Sequence, residues 1–189
     1  QIDGRLAAPQ HQHRLPLGRV AVMARELAEA LDFAHQHRVI HRDIKPGNVM
    51  VLQDGRCKLM DFGMAKALEV HRDRSLFICG TPDYMSPEQE AGHDLTPATD
   101  LYSFGLLLME MLLGPIPSGP TARNARDARL QVLDQSALPR PLREVIRRCL
   151  DLDPGARPAT SREVAEVLQQ CASAPEGDFG TDAPPPIQR

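Results

Sequence analysis

The fold of this sequence is decided around the stretch His41-Arg42-Asp43-Ile44-Lys45-Pro46-Gly47-Asn48, which occupies residues 41–48. Two short apolar runs follow it, Val49 to Leu52 and Cys57 to Met60. The segment between them contains Asp54-Gly55, a dipeptide that favours a tight hairpin turn, so the runs predict a pair of antiparallel strands. Asp61-Phe62-Gly63 comes directly after the second run, and the predicted hairpin is therefore flanked by polar residues on both sides.

The residue types that flank the hairpin suit phosphoryl transfer. This reaction spreads negative charge over the moving phosphoryl group, so a site must supply a carboxylate for the incoming hydroxyl, oxygen ligands for magnesium and a cation for the γ-phosphate. Asp43, Asn48, Asp61 and Lys45 supply that set. Mg²⁺ prefers hard oxygen ligands and keeps several waters, so one carboxylate and one amide oxygen, completed by phosphates, suit it.

These stretches, together with Ser86-Pro87-Glu88 further along the chain, resemble the protein kinase family. A lone Asp-Phe-Gly is more simply read as a loop turn, but three motifs in this order are far more specific. The resemblance extends from about Pro16 to Cys171. It implies a kinase-like α+β fold: a mostly α-helical C-terminal lobe with a small β-hairpin carrying the catalytic loop. The β-rich N-terminal lobe of the family is expected to be absent, because the segment before Pro16 is too short to form it.

Outside the motifs the sequence predicts mainly helices. Apolar residues at three- and four-residue steps predict an amphipathic helix over 17–36. A helix over 97–113, with Thr96 as N-cap, is apolar all round and is predicted to be buried. Further helical patterns cover 124–134 and 140–151, and Thr160 with Glu163 predicts a capping box at the start of a last helix. Residues 62–81 show no sustained period and predict a long loop.

The resemblance implies roles for the polar residues around the hairpin. Asp43 would orient the substrate hydroxyl and accept its proton, and Lys45 would contact the transferring phosphate. Asn48 and Asp61 would bind Mg²⁺ and, with it, ATP. Lys45 and Thr81, whose hydroxyl would bond to the catalytic aspartate and lysine, are features of serine/threonine kinases rather than tyrosine kinases. Gly47 offers no acidic side chain, so a basic consensus substrate is not supported.

Other residues are assigned to packing around this site. Met50 would form the floor under adenine, although its neighbours Val49 and Val51 also suit an ordinary core strand. Phe62, followed by Gly63, would stack on His41.

Further matches concern the frame of the lobe. Asp100 would anchor the backbone of the catalytic loop, on a helix where Tyr102 replaces the commoner tryptophan. Glu88 and Arg157 would form the buried ion pair of the family.

Regulation by phosphorylation is a further expectation. Arg42, directly before Asp43, is typical of kinases that are activated by phosphorylation of the loop after Gly63. Ser75 is the only hydroxyl residue between Gly63 and Gly80, so it is the expected activating site, with Arg42 and Lys66 receiving the phosphate. An ordinary exposed serine at 75, with modification at Thr81 instead, is the open alternative.

Composition excludes several classes of function. The chain has 22 Lys and Arg against 25 Asp and Glu, a net charge of −3, which argues against non-specific nucleic-acid binding. The longest apolar stretch, Phe104 to Leu113, is too short to span a bilayer. The four cysteines form no CxxC pair, which argues against a zinc site and favours a reducing, cytoplasmic setting. Four histidines are expected at exposed polar positions: His11, His13, His35 and His37.

The predicted domain organisation is a leader or inter-lobe segment (1–15), the C-terminal lobe of a kinase domain (16–171) and a Pro-rich linker or disordered tail (172–189). The sequence contains no GxGxxG, and no lysine precedes residue 41. It therefore reads as a piece of a longer protein, inactive by itself, located in the cytoplasm either free or as part of a membrane-anchored kinase.

Two functions stay open. The first is an ATP-dependent serine/threonine protein kinase, most like the bacterial eukaryotic-type kinases. Its partners would be proteins with Ser or Thr acceptors, including itself through autophosphorylation. The second is a non-catalytic, pseudokinase-like binding or scaffold module.

Overall fold

The structure is a computed structural model, and it describes residues 16–62 and 82–173. Within these ranges the chain is mostly helical and carries one two-stranded antiparallel sheet, which confirms the predicted fold class. The helices and strands, in chain order, are α1 (Leu17–Gln36), β1 (Val49–Val51), β2 (Cys57–Leu59), α2 (Pro87–Glu90), α3 (Pro97–Leu113), α4 (Ala122–Asp134), α5 (Arg140–Cys149) and α6 (Ser161–Ser173). Short 3-10 turns lie at Pro46–Asn48, Pro82–Tyr84 and Pro154–Ala156.

The helix α3 is the centre of the core. Thirteen of its 17 residues are buried, as its all-round apolar sequence predicts. It packs on α5, while α1 packs along α6 and also contacts β2 and α3. Gly105 of α3 lies so close to α5 that a Cβ at this position would be 2.6 Å from the Cβ of Cys149. No helix within the described residues is long and apolar enough to cross a bilayer.

The hairpin pairs Val49 with Leu59, Met50 with Lys58 and Val51 with Cys57. Because side chains alternate along a strand, Met50 and Lys58 share one face, and Val49, only 1% exposed, belongs to the other. The turn uses Gly55 at φ +85°, a conformation that favours glycine. The carboxylate of Glu26 accepts the Cys57 N–H at 2.7 Å, which fixes β2 on α1.

The predicted helix and strand boundaries agree with the structure to within two residues. The helix α4 starts at Ala122 because the Thr121 hydroxyl accepts the Asn124 N–H at 3.2 Å. The helix α5 ends at Cys149, short of residue 151.

The two predicted helix caps are only partly formed. Thr96 occupies the N-cap of α3, but its side chain makes no capping hydrogen bond. The capping box of α6 is only half formed, because the Glu163 carboxylate accepts the N–H of Ala159 and pairs with Arg148. The Glu163 N–H does donate to the Thr160 hydroxyl, at 3.3 Å.

Candidate active site

The stretch 41–48, between α1 and β1, is held from the side of α3. The carboxylate of Asp100, 1% exposed, accepts the backbone N–H groups of His41 and Arg42, each at 2.8 Å. Arg42 has φ +71°, a left-handed conformation that non-glycine residues rarely adopt. Its Nε is buried without a hydrogen-bond partner in the described part of the chain. Asp100 therefore fixes the loop at its most strained residue.

His35 takes part in the same anchor. Its Nε2 lies 2.7 Å from the carboxylate of Asp100, and its Nδ1 lies 3.2 Å from the hydroxyl of Ser161 on α6. The prediction that His35 is exposed was wrong: its side chain is 9% exposed, because the start of α3 covers the last turn of α1. His37 is exposed, as predicted, and His11 and His13 lie outside the described residues. Ser161 is completely buried, so this Ser–His–Asp arrangement offers no accessible nucleophile.

His41 connects the two motifs that flank the hairpin. Its Nδ1 is 3.3 Å from the N–H of Asp43 and accepts from it, so its Nε2, 2.7 Å from the carbonyl of Met60, carries the proton. Its ring lies edge-on to Phe62, with 4.6 Å between ring centroids. The side chain is fully buried. The loop at residue 43 and the strand end at residue 60 are therefore tied to one imidazole.

Asp43, Lys45 and Asn48 form a polar cluster that is only partly exposed. The Lys45 ammonium lies 2.8 Å from the Oδ2 of Asp43, with the two side chains 26% and 13% exposed. The Asn48 amide nitrogen donates to the same Oδ2 at 2.8 Å and to the Asp43 carbonyl at 2.7 Å. Because both donations use Nδ2, the amide oxygen of Asn48 points away from Asp43. The 3-10 turn Pro46–Asn48 brings these residues together.

Asp61 stands at the same end of the hairpin as Asn48. The Met60 N–H donates to the Asn48 carbonyl at 2.8 Å, and Asp61 follows with φ +63° and an exposed side chain. A carboxylate after β2 and an amide oxygen before β1 are thus offered at one end of the hairpin, a donor set that Mg²⁺ accepts. Within residues 16–62 and 82–173, no group of three His, Cys, Asp or Glu could hold a metal ion, so the remaining ligands would be phosphate oxygens and water. Met50 is half-buried on β1.

Four residues singled out from the sequence lie outside the described residues: Gly63, Lys66, Ser75 and Thr81.

Glu88 and Arg157 form a bidentate, buried ion pair. The Nη1–Oε1 and Nη2–Oε2 distances are 2.6 and 2.8 Å, and the side chains are 6% and 0% exposed. Thr99 donates to Glu88 at 2.9 Å, and the guanidinium lies 5.1 Å from the ring centroid of Tyr102. Burial raises the pKa of Glu88, but the hydrogen bonds and charge of Arg157 outweigh it and hold the pKa below its usual value.

Glu110, near the other end of α3, has different neighbours. It is 8% exposed and accepts a hydrogen bond from the Tyr84 hydroxyl. Burial, followed by the negative charge of Asp83, raises its pKa above the usual value. No basic side chain pairs with it among the residues that the structure describes.

Gln89 is a site residue that the sequence interpretation missed. Its Nε2 donates to the carbonyl of Arg42 at 2.8 Å, and its Oε1 accepts the N–H of Ser86 at 3.0 Å. The signal was present, since Ser86-Pro87-Glu88-Gln89 has the Ser-x-x-Gln pattern of a capping box. The short helix α2 that this box opens was not predicted either.

The sequence profile described as the protein kinase domain matches residues 5–170. The chain belongs to the protein kinase family. A serine/threonine-protein kinase of Myxococcus xanthus is 36% identical over 176 residues, which are 85% of this chain and 21% of that protein. A probable serine/threonine-protein kinase of Clostridium acetobutylicum is 34% identical over 163 residues, 82% of this chain and 25% of that kinase.

A probable serine/threonine-protein kinase of Dictyostelium discoideum is 29% identical over 177 residues, which are 89% of this chain and 42% of its own length. This kinase chain therefore spans less than half the length of each of these relatives, both bacterial and eukaryotic.

Proposed function

We propose that the protein is an ATP-dependent serine/threonine protein kinase that transfers the γ-phosphoryl group of Mg-ATP to Ser and Thr hydroxyls of proteins. The observation that carries the proposal is the cluster at one end of the hairpin. There the carboxylate of Asp43, 13% exposed, lies 2.8 Å from both an ammonium and a carboxamide nitrogen. Asp61 follows β2 at the same end of the hairpin.

The cluster supports a division of labour. Lys45 and Asn48 both contact the Oδ2 of Asp43. This leaves Oδ1 to receive the substrate hydroxyl, which Asp43 would orient and from which it would take the proton. Lys45, 26% exposed, can contact the transferring phosphate from the same position. Positioning and electrostatic stabilisation of this kind are the main contributions of a protein to phosphoryl transfer.

The donor set at the end of the hairpin fits Mg²⁺. Asn48 and Asp61 would hold the ion, and Mg²⁺, when bound, would neutralise charge on the phosphate oxygens. Met50, on the exposed face of the hairpin with Lys58, would contact adenine.

Regulation and location complete the proposal. Ser75 would be autophosphorylated, with Arg42 and Lys66 receiving the phosphate, and the buried Nε of Arg42 without a partner supports that role. The protein would act in the cytoplasm. The 189 residues alone would transfer little phosphate, because no lysine precedes the catalytic loop.

The test is the Asp43→Asn variant of the full-length gene product, assayed with radiolabelled ATP and a generic acceptor protein. The substitution keeps the size of the side chain and removes the base, so transfer should fall about 100- to 10,000-fold. Binding of a fluorescent ATP analogue should stay within about twofold of the wild-type value, since Asp43 acts on the acceptor hydroxyl.

Asp127→Asn is the matched control, because Asp127 is an exposed carboxylate on α4. Undiminished transfer by Asp43→Asn would remove the catalytic assignment. Wild-type protein that transfers no phosphate, yet binds a partner through this lobe, would support the scaffold function instead.

A further inference from the structure

We propose that Gln89 is a positioning residue that fixes the catalytic loop at the Arg42–Asp43 peptide. The catalytic consequence of this inference rests on the proposed function. Arg42 is held in a left-handed conformation, φ +71°, and such strain persists only where the surroundings over-determine it. Asp100 holds the amide side of Arg42 at 2.8 Å, and Gln89 holds the carbonyl side at 2.8 Å.

The Arg42–Asp43 peptide unit is bonded at both of its polar atoms. Gln89 donates to its carbonyl oxygen, and its N–H, which belongs to Asp43, donates to the Nδ1 of His41 at 3.3 Å. The plane of this peptide sets the direction in which the Cα–Cβ bond of Asp43 leaves the backbone. Gln89 therefore acts on the orientation of the Asp43 carboxylate through the peptide that precedes it.

The orientation of the Gln89 carboxamide is itself determined by Ser86. The oxygen accepts the Ser86 N–H at 3.0 Å and its hydroxyl at 3.2 Å, so only the NH2 group can face Arg42. The N–H of Gln89 donates back to the Ser86 hydroxyl at 3.3 Å, which completes the capping box. The neighbouring Glu88 is anchored to Arg157, so Gln89 projects from a fixed helix.

Gln89 has two roles that substitutions can separate: it caps α2 by accepting the Ser86 N–H, and it donates to the carbonyl of Arg42. Either Glu or Gln can accept the backbone N–H in a capping box. Only Gln can also donate to a carbonyl, because an ionised carboxylate has no proton to give. Gln89→Glu at pH 7.5 therefore keeps the cap of α2 and removes the contact with Arg42. Ser86→Ala does the opposite, since it removes the hydroxyl of the cap and leaves the Gln89 NH2 group in place.

Hydrogen–deuterium exchange of the full-length gene product tests the inference without requiring activity. In Gln89→Glu, the amides of residues 41–43 should exchange about tenfold faster, because a lost hydrogen bond is joined by repulsion between carboxylate and carbonyl oxygens. Exchange in residues 87–92 should stay within about twofold of wild type. In Ser86→Ala the pattern should be reversed. Equal effects of both variants on residues 41–43, or no effect of Gln89→Glu there, would overturn the proposal.

Kinetics supply the second readout. Gln89→Glu should lower kcat about tenfold and leave the KM for ATP within about twofold, because the loop is mispositioned while the nucleotide contacts remain. A reduced kcat in Ser86→Ala equal to that in Gln89→Glu would indicate a merely structural role. If the wild-type protein transfers no phosphate, the proposed function fails, and the exchange experiment still decides whether Gln89 positions the loop.

Discussion

Two buried glutamates, one near each end of α3, meet opposite surroundings. Glu88, 6% exposed, faces the guanidinium of Arg157, and Glu110, 8% exposed, faces the hydroxyl of Tyr84 and the charge of Asp83. The pKa of Glu88 is consequently lowered, and that of Glu110 is raised, chiefly by burial. Burial alone disfavours an ionised carboxylate and raises its pKa. The comparison of the two glutamates shows that a paired cation reverses the direction of this pKa shift.

The largest expected effect comes from breaking the paired end. Arg157→Ala leaves the Glu88 carboxylate buried without its cation, which should lower the free energy of unfolding by roughly 3–5 kcal/mol. Urea denaturation followed by circular dichroism at pH 7 measures this change. Arg25→Ala is the matched control, because Arg25 and Glu29, whose side chains are 30% and 53% exposed, pair at 2.6 Å. Such an exposed pair contributes about 1 kcal/mol or less. Similar losses in the two variants would contradict the assignment.

A smaller effect is expected from Asp100, a buried carboxylate stabilised mainly by backbone N–H groups. Asp100→Asn replaces one oxygen by an NH2 group, which must then face a backbone N–H of His41 or Arg42. We expect a loss of about 2–3 kcal/mol in the free energy of unfolding, since hydrogen bonds to charged groups are stronger than neutral ones. The same urea experiment measures it, with Asp127→Asn as control. A loss no larger than that of the control would contradict the role of Asp100 as the anchor of residues 41 and 42.

The smallest effect, with the opposite sign, is expected at Glu110. Glu110→Gln can still accept from Tyr84 and removes a carboxylate that folding makes harder to ionise. The variant should therefore be more stable than wild type at pH 7, by about 1 kcal/mol or less. The pKa of Glu110 is higher in the folded protein than in the unfolded chain. The difference in free energy of unfolding between the variant and wild type should therefore be absent below the unfolded pKa of about 4.3 and should grow as pH rises through the folded pKa.

Urea titrations at half-unit steps from pH 3 to pH 8 measure this dependence. Glu88 should have the opposite effect on the pH dependence of stability, because its pKa is lowered in the folded protein. Its stabilisation is present above the unfolded pKa and is lost as pH falls through the folded one. A Glu110→Gln variant that is less stable than wild type at every pH would contradict the comparison.

The sequence predicted the parts of this fold that depend on local pattern. The helices α1 and α3 follow from apolar periodicity, and the hairpin follows from Asp54-Gly55 between two apolar runs. The residues of the cluster Asp43, Lys45 and Asn48 could be named because their order along the chain is characteristic, although only the structure supplies their 2.8 Å contacts.

Contacts that join distant segments could not be read from local patterns. His35 was expected to be exposed, because the sequence around it gives no indication of its contact with Asp100, which lies 65 residues further along the chain. Glu163 caps Ala159 rather than Thr160 because Arg148, on another helix, also engages its carboxylate. The Ser86-x-x-Gln89 pattern could have predicted the cap of α2 but not the contact of Gln89 with Arg42, which is 47 residues away.

The close approach of α3 to α5 has a consequence for how this sequence can vary. The 2.6 Å between a Cβ at position 105 and that of Cys149 means that the two positions share the volume of a single side chain. A homologue that enlarges residue 105 must therefore shrink residue 149 or move the two helices apart. Since α3 also carries Asp100, such a separation would disturb its hydrogen bonds to residues 41 and 42, and the pair should evolve together rather than singly.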